Sequence, residues 1–210
     1  MADSDKTAPL RDPGSTRARI LDAALSTFSH KGYHDTRLDD IVDESETSKG
    51  AIYFHFANKE RLFLALVDQF ADLLERRVLD AIDGKAEGME RVQVALETVL
   101  DTFGRYRRPA KILLVQAVGL GNVFESKRAE VTDRFARLIE GYLKEAITLG
   151  DIEEVDTEVV AYAWMGAIYG IVIRWVTTGE PEPNRIMSSL VPLLLRSVGY
   201  ESATKSNALS

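Results

Sequence analysis

Apolar residues recur at helical spacing along almost the whole chain, and no alternating apolar and polar segment is long enough to argue for a β-sheet. Residues 15–31 show the pattern clearly, with one apolar face formed by Ile20, Leu21, Ala24, Leu25 and Phe28. A chain of 210 residues, of which 45% are hydrophobic, is long enough to bury a sizeable core. We therefore predict an all-α fold.

Cysteine is absent from the chain, and its three histidines all lie in the first quarter. The absence of cysteine excludes disulfide bonds, thiolate nucleophiles and cysteine-ligated zinc. His30 and His34 have a spacing that suits a metal on a continuous helix, but Gly32 interrupts the helix between them. We expect no metal, no cofactor and no enzymatic activity, because neither a nucleophile with its base nor a set of metal ligands can be assembled.

Both ends of the chain are polar. Residues 1–14 are charged and interrupted by Pro9 and Pro13, which predicts a flexible arm without a signal peptide, and residues 201–210 predict a flexible tail. The longest uncharged stretch, 159–173, is shorter than the roughly 20 apolar residues that a membrane-spanning helix needs. We expect a cytoplasmic protein with no membrane partner.

Four helices at the start of the chain follow the order of a helix-turn-helix unit. They are predicted over residues 15–31, about 36–45, 48–55 and 58–82. The residues expected to cap or open them are, in chain order, Ser15 or Thr16, Thr36, Ser48 and Asn58. Residues 15–61 are therefore predicted as a three-helix domain, which the long fourth helix joins to the rest of the chain.

The remainder of the chain predicts a helical bundle over residues 62–200. Helical spacing marks the segments 92–103, 131–150 and 157–176, and Pro109 lies where a helix over 110–120 can begin. Pro181 and Pro183 precede a last helix over 184–199, which Pro192 is expected to kink. This bundle is the expected second domain.

The third helix carries a face that suits nucleic acid. Positions 49, 50 and 53 share one side, whereas Ile52 and Phe56 share the opposite, inward side. Gly50 leaves no bulk on the outward side, and Lys49 and Tyr53 supply hydrogen-bond donors. Such a helix can enter a major groove about 12 Å wide and anchor on the flanking phosphates.

The segment 16–63 resembles the TetR family of bacterial transcriptional regulators. The matching residues are Phe28-Ser29-His30-Lys31-Gly32-Tyr33, then Thr36 and Ile41, then Ser48-Lys49-Gly50-x-Ile52-Tyr53-x-His55-Phe56-x-x-Lys59-Glu60-x-Leu62. So many positions at fixed offsets make the resemblance specific. Beyond residue 63 it is architectural, and it implies a C-terminal bundle that binds a ligand and forms the dimer.

The resemblance implies that double-stranded operator DNA is a partner and assigns roles to individual residues. The residues expected to hold phosphates are Thr36, Tyr53, His55 and Lys59. Those expected to face base edges are Thr47, Ser48, Lys49, Gly50 and Ala51.

Two features depart from the family pattern. Glu46 occupies the turn before the third helix where the family commonly has glycine, and a tight turn with positive φ is unfavourable for Glu. Residues 1–61 hold 9 basic and 11 acidic side chains, whereas residues 47–59 hold two Lys, one His and no acid. This local excess of cations predicts selective, salt-sensitive DNA binding with weak nonspecific affinity.

The last two helices are the expected dimer interface. The helix around Gly166 and Gly170 is apolar on all sides, so it must be covered on all sides, and its own bundle can cover only part of it. The residues of the final helix expected to pair with a second copy are Leu190, Val191, Leu194 and Val198. A homodimer would present two recognition helices to half-sites roughly 34 Å apart.

A ligand site in the bundle is a weaker inference. The candidate residues are Phe103, Gln116, Phe135, Tyr142 and Tyr162. Core packing is the ordinary explanation for such side chains. Gln116 is the best candidate for a polar contact, because it lies in an otherwise apolar run, although a hydrogen bond to the backbone would also explain it.

These features predict a ligand-responsive transcriptional regulator that acts as a repressor and is released from its operator by a small, mostly apolar effector. Lys59 and Phe70 lie on one continuous helix, which gives the effector a route to the DNA-binding domain. The alternative is a helical ligand-binding or scaffold protein that does not bind DNA, an interpretation favoured by Glu46 and the acidic second helix.

Overall fold

The computed structural model describes residues 15–84, 88–116 and 121–201, with the backbone alone at Gln116. Within these ranges the chain is helical and contains no β-strand, which confirms the all-α prediction. The predicted arm, 1–14, and all but the first residue of the predicted tail, 201–210, lie outside the described residues.

Nine helices and one π turn make up the described chain. The helices are α1 Thr16–Lys31, α2 Leu38–Ser45, α3 Lys49–His55, α4 Lys59–Ile82, α5 Met89–Arg105, α6 Arg107–Lys111, α7 Asn122–Leu149, α8 Thr157–Thr178 and α9 Pro183–Ser197. The π turn, Ile112–Gln116, follows α6 directly, where the sequence predicts a regular helix over 110–120.

The chain divides into two compact units. The first comprises Met1–Leu73 and Tyr106–Lys127, and the second comprises Leu74–Arg105 and Arg128–Ser210. The sequence predicts one boundary near residue 61, whereas here the 106–127 segment groups with the N-terminal helices. The predicted domain bounds, 15–61 and 62–200, stay a prediction.

In the first unit α1 packs on α2 and α3 around an aromatic core. The Ser15 hydroxyl accepts a hydrogen bond from the Ala18 amide at 3.1 Å and caps α1, as the sequence predicts. Phe28 and Tyr33 both contact Phe63 of α4, with ring centroids 5.7 and 5.1 Å apart. These contacts place the start of α4 against the three-helix domain.

Thr36 does not open α2 as predicted. It is almost fully buried, and its hydroxyl donates to the Gly32 carbonyl at 2.7 Å. The helix begins two residues later, at Leu38, where the Asp40 carboxylate accepts from the Arg37 amide at 2.8 Å. The acid three residues after the cap therefore satisfies a free backbone donor, in the manner of a capping box shifted by one residue.

Glu46 adopts the left-handed conformation, although a turn with positive φ is unfavourable for Glu. Its φ is 50° and its ψ is 38°, and it is the one non-glycine residue with positive φ in the described chain. The Thr47 amide donates to the Val42 carbonyl at 3.4 Å, which closes the end of α2. The turn is therefore kept with Glu in the place of glycine.

In the second unit α9 packs on α5 and α8. The Trp164 indole donates to the Ser197 hydroxyl at 3.0 Å, which joins α8 to the end of α9. Three of the four residues predicted to meet a second copy, Val191, Leu194 and Val198, are buried within the chain instead, and Leu190 is half-buried. That prediction chose the wrong face of α9, because periodicity locates an apolar stripe without saying which neighbour covers it.

Helix α8 is long and apolar enough to cross a membrane by length and composition alone. Only 33% of its most apolar 18-residue window is buried inside the chain. The exposed positions include Val159, Tyr162, Gly166 and Gly170, and a side chain added at either glycine would meet nothing within 4 Å. An apolar surface of this size normally has a partner.

Candidate nucleic-acid interface

The outward face of α3 is uncovered, as the sequence predicts. Lys49, Gly50 and Tyr53 are exposed, whereas Ile52 is fully buried and Phe56 is 4% exposed. A Cβ added at Gly50 would meet only the Ser48 hydroxyl, at 3.8 Å. A flat molecular surface can therefore approach the backbone of α3 closely at this point.

Phe54 is the residue on this face that the sequence reasoning missed. Its side chain is 84% exposed, and its ring meets the His55 ring edge-on, with ring centroids 5.1 Å apart. The hydrophobic effect disfavours so exposed a phenylalanine unless a partner covers it. The sequence indicates this exposure, because Phe54 follows Tyr53 on a short helix whose Ile52 faces inward.

Lys49 is held by an acidic residue of the preceding helix. Its ammonium lies 2.7 Å from Asp39 Oδ1, and both side chains are largely exposed. This hydrogen bond and the charge of Asp39 raise the pKa of Lys49. A phosphate or a base edge that approaches Lys49 must therefore compete with Asp39.

The Lys59 ammonium is hydrogen-bonded to the backbone between α1 and α2. Its ammonium donates to the carbonyls of Tyr33, Thr36 and His34, at 2.7, 2.8 and 3.3 Å, and lies 4.4 Å from the centre of the Tyr33 ring. Burial lowers the pKa of Lys59, partly opposed by the charge of Asp35. Lys59 thus ties α4 to the α1–α2 connection, and its phosphate contact stays a prediction.

The other residues predicted to contact DNA differ in how far they are exposed. The Ser48 hydroxyl caps α3 by accepting from the Ala51 amide at 3.1 Å and stays exposed. Thr47 is half-buried, and its hydroxyl shares a hydrogen bond of 2.8 Å with Ser45. Ala51 and His55 are half-buried at the edge of the face. Thr36, described above, is too deeply buried to reach a phosphate with its side chain.

The residues predicted to bind a ligand differ in exposure, and the site that they would form stays a prediction. Phe103, Phe135 and Tyr142 are half-buried in the second unit, where burial raises the pKa of Tyr142. Tyr162 is 44% exposed and donates to Asp133 at 2.6 Å, so it faces outward rather than into the bundle. Gln116 lies in the π turn, and its side chain is outside the described residues.

A groove of about 540 Å³ lies between α8 and α9. Apolar side chains such as Ile171 and Leu193 line it, and Arg174, Glu180 and Arg185 surround one part. None of the five predicted ligand residues lines this groove. Among the described residues no group of three His, Asp or Glu side chains could hold a metal ion.

A family model for bacterial regulatory proteins of the tetR family matches residues 20–66, which hold most of α1, all of α2 and α3 and the start of α4. Over most of its length the chain is similar to the HTH-type transcriptional regulator SrpR of Pseudomonas putida. The two are 26% identical over 176 residues, which cover 83% of this chain and 82% of the relative.

Solved structures share the whole architecture. A TetR-like transcriptional regulator from Rhodococcus sp. RHA1 is 28% identical with a TM-score of 0.69, and the match covers 91% of this chain and all of that one. The transcriptional regulator FadR from Bacillus subtilis, solved in complex with stearoyl-CoA, is 22% identical with a TM-score of 0.75. That match covers 88% of this chain and 98% of the other.

Replacement of Lys59 by Met should lower the free energy of unfolding by about 2 kcal/mol, because three hydrogen bonds from a charged group to backbone carbonyls are lost. Urea denaturation followed by circular dichroism measures the change. Lys144→Met is the matched control, since Lys144 is exposed on α7 and its ammonium pairs with Glu140 one turn away, and it should cost less than about 0.5 kcal/mol. Equal losses for the two variants would contradict the role of Lys59.

Proposed function

Because this chain belongs to the TetR family and is a DNA-binding transcriptional regulator rather than an enzyme, we propose that the outward face of α3 binds operator DNA and that an effector controls this binding. The observation that carries the proposal is the exposure of Lys49, Gly50 and Tyr53 over a buried Ile52. A bacterial regulator of this kind meets its operator in the cytoplasm.

The exposed residues of α3 divide into two groups by chemistry. Gly50 and Ala51 lack bulk and let the helix approach base edges, where Lys49 and the Ser48 hydroxyl offer donors. Tyr53 and His55 carry donors toward the edge of the face, where phosphates flank a groove. Phe54 adds an apolar surface that suits a thymine methyl group or a sugar.

Two acidic residues reduce the positive charge of this interface. Asp39 holds Lys49, and Glu46 places a further carboxylate in the turn before α3. Nonspecific binding depends on neutralised phosphates, so it is weakened more than binding to a matching sequence. The alternative of a scaffold that binds no DNA rests on the same acids, but it leaves the exposed α3 face and Phe54 without a partner.

A second copy of the chain is the proposed occupant of the α8–α9 surface. The exposed face of α8 is apolar and includes small residues at Gly166 and Gly170, which permit close approach of another helix. Leu193 of α9 is 57% exposed beside the groove. A twofold dimer through these helices buries the patch and supplies two copies of α3 to one operator.

The proposed regulation is repression that a small, mostly apolar effector relieves. Support comes from α4, which runs from the three-helix domain into the second unit, so a ligand that favours one position of α4 can alter DNA binding. The FadR structure with stearoyl-CoA shows that a protein of this fold holds an acyl-CoA. Stearoyl-CoA is therefore the first effector to test.

Replacement of Lys49 by Ala should weaken binding to the intergenic DNA beside the gene by about tenfold, as expected for one lost base or phosphate contact. Asp39→Asn should do the opposite and tighten binding severalfold, because it releases Lys49 and removes a negative charge. Fluorescence anisotropy over a range of salt concentrations measures both.

Lys144→Ala is the control, since Lys144 lies on α7 and is not part of the proposed surface, and it should bind like the wild type. If neither α3 variant alters affinity, or if the wild type shows no preference for this DNA and no salt dependence, the proposed interface is wrong.

Replacement of Leu193 by Glu should convert the dimer to a monomer, because two carboxylates would be buried in an apolar interface. Light scattering after size exclusion gives the mass. Leu149→Glu is the matched control, since Leu149 is 49% exposed at the end of α7, and it should leave the dimer intact. A wild-type monomer, or dimers in both variants, would refute the α8–α9 interface.

A further inference from the structure

A buried glutamine on α4 has no hydrogen-bond partner in the protein. Gln69 is 7% exposed, and both its Nε2 and its Oε1 are buried and unpaired. Leu62 and Leu66 precede it at helical spacing and are fully buried. An amide in such an apolar stripe loses its hydrogen bonds to water on folding, so it destabilises the chain unless a partner arrives from outside.

The neighbours of Gln69 in the sequence show where its side chain faces. Asp68 pairs with Lys127 at 3.0 Å, and the Phe70 ring meets the Tyr106 ring edge-on, with centroids 6.4 Å apart. Successive residues of a helix point about 100° apart. Gln69 therefore lies on the side of α4 between the sides that carry Asp68 and Phe70, whose partners Lys127 and Tyr106 both belong to the first compact unit.

The segment that begins at Tyr106 also contains the π turn. Ile112 and Leu113 of that turn are buried. Turns of this kind are rare in helical proteins and are frequent at functional sites. An irregular apolar segment and an unpaired amide thus occur in the same compact unit.

We propose that Gln69 is the polar contact for the effector, which would lie between α4, α6 and the start of α7; this extension rests on the ligand response proposed above. A carboxamide donates through Nε2, accepts through Oε1 and carries no charge. It therefore suits a neutral carbonyl, hydroxyl or amide group of the effector, such as the thioester carbonyl of an acyl-CoA, rather than an ionised group.

This position also connects the effector to the DNA-binding domain. Gln69 lies ten residues, about 15 Å, along α4 from Lys59. Lys59 ties the same helix to the connection between α1 and α2. A ligand that shifts α4 at Gln69 therefore acts on the helix that holds the three-helix domain in place.

The first test measures the thermal stability of the full chain without ligand. Gln69→Leu should raise Tm by about 2–4 °C, because it removes two unpaired polar atoms. Gln93→Leu is the matched control and should not raise Tm, since the Gln93 amide donates to Glu97 at 2.8 Å. A lower Tm for Gln69→Leu would show that water satisfies the amide and would overturn the proposal.

The second test measures the affinity for stearoyl-CoA by isothermal titration calorimetry. Gln69→Leu should bind about tenfold more weakly than the wild type, the loss expected for one hydrogen-bonded contact, and Gln93→Leu should bind equally well. Equal affinity of Gln69→Leu and the wild type would overturn the proposal. If the wild type does not bind stearoyl-CoA, the proposed effector class and the contact at Gln69 are both wrong, whereas wild-type binding that Gln69→Leu leaves unchanged overturns the contact at Gln69 alone.

Discussion

Burial of Ile52 and Phe56 fixes which face of α3 looks outward, and the proposed function depends on that orientation. A helix of seven residues is not stable alone, so packing against α1 and α2 has to hold it. With Ile52 fully buried, Lys49, Gly50 and Tyr53 can only face solvent or a partner. The orientation of the proposed DNA-binding surface therefore follows from the packing of the core, and a substitution in that core would reorient the surface without changing any residue on it.

The two lysines of the proposed interface already have partners within the chain. Lys59 donates to three backbone carbonyls, and Lys49 pairs with Asp39. On the proposed interface DNA gains little from Lys59 and has to displace a carboxylate to reach Lys49. The proposal therefore expects weak affinity for any anionic polymer and higher affinity for a sequence that fits the small and aromatic face of α3.

The sequence predicts helix caps and turns, whereas it does not predict contacts between residues that are distant in the chain. The helix caps at Ser48 and Asn58 and the left-handed turn at Glu46 each involve residues within about four positions of one another, so the sequence alone brings them to notice. Lys59 bonds carbonyls 23 to 26 residues away, so spacing could not distinguish that role from a phosphate contact. Tyr162 and the buried face of α9 were misjudged for a similar reason, since periodicity does not say what covers an apolar stripe.

Photocrosslinking tests most directly whether the outward face of α3 lies against operator DNA. A benzophenone amino acid would replace Phe54, which is 84% exposed, and in a second protein Leu79 of α4, which is 44% exposed. The account predicts a crosslink to the intergenic fragment from position 54, which unlabelled specific DNA abolishes, and none from position 79. Equal crosslinking from both positions, or none from position 54 under conditions in which the fragment is bound, would contradict it.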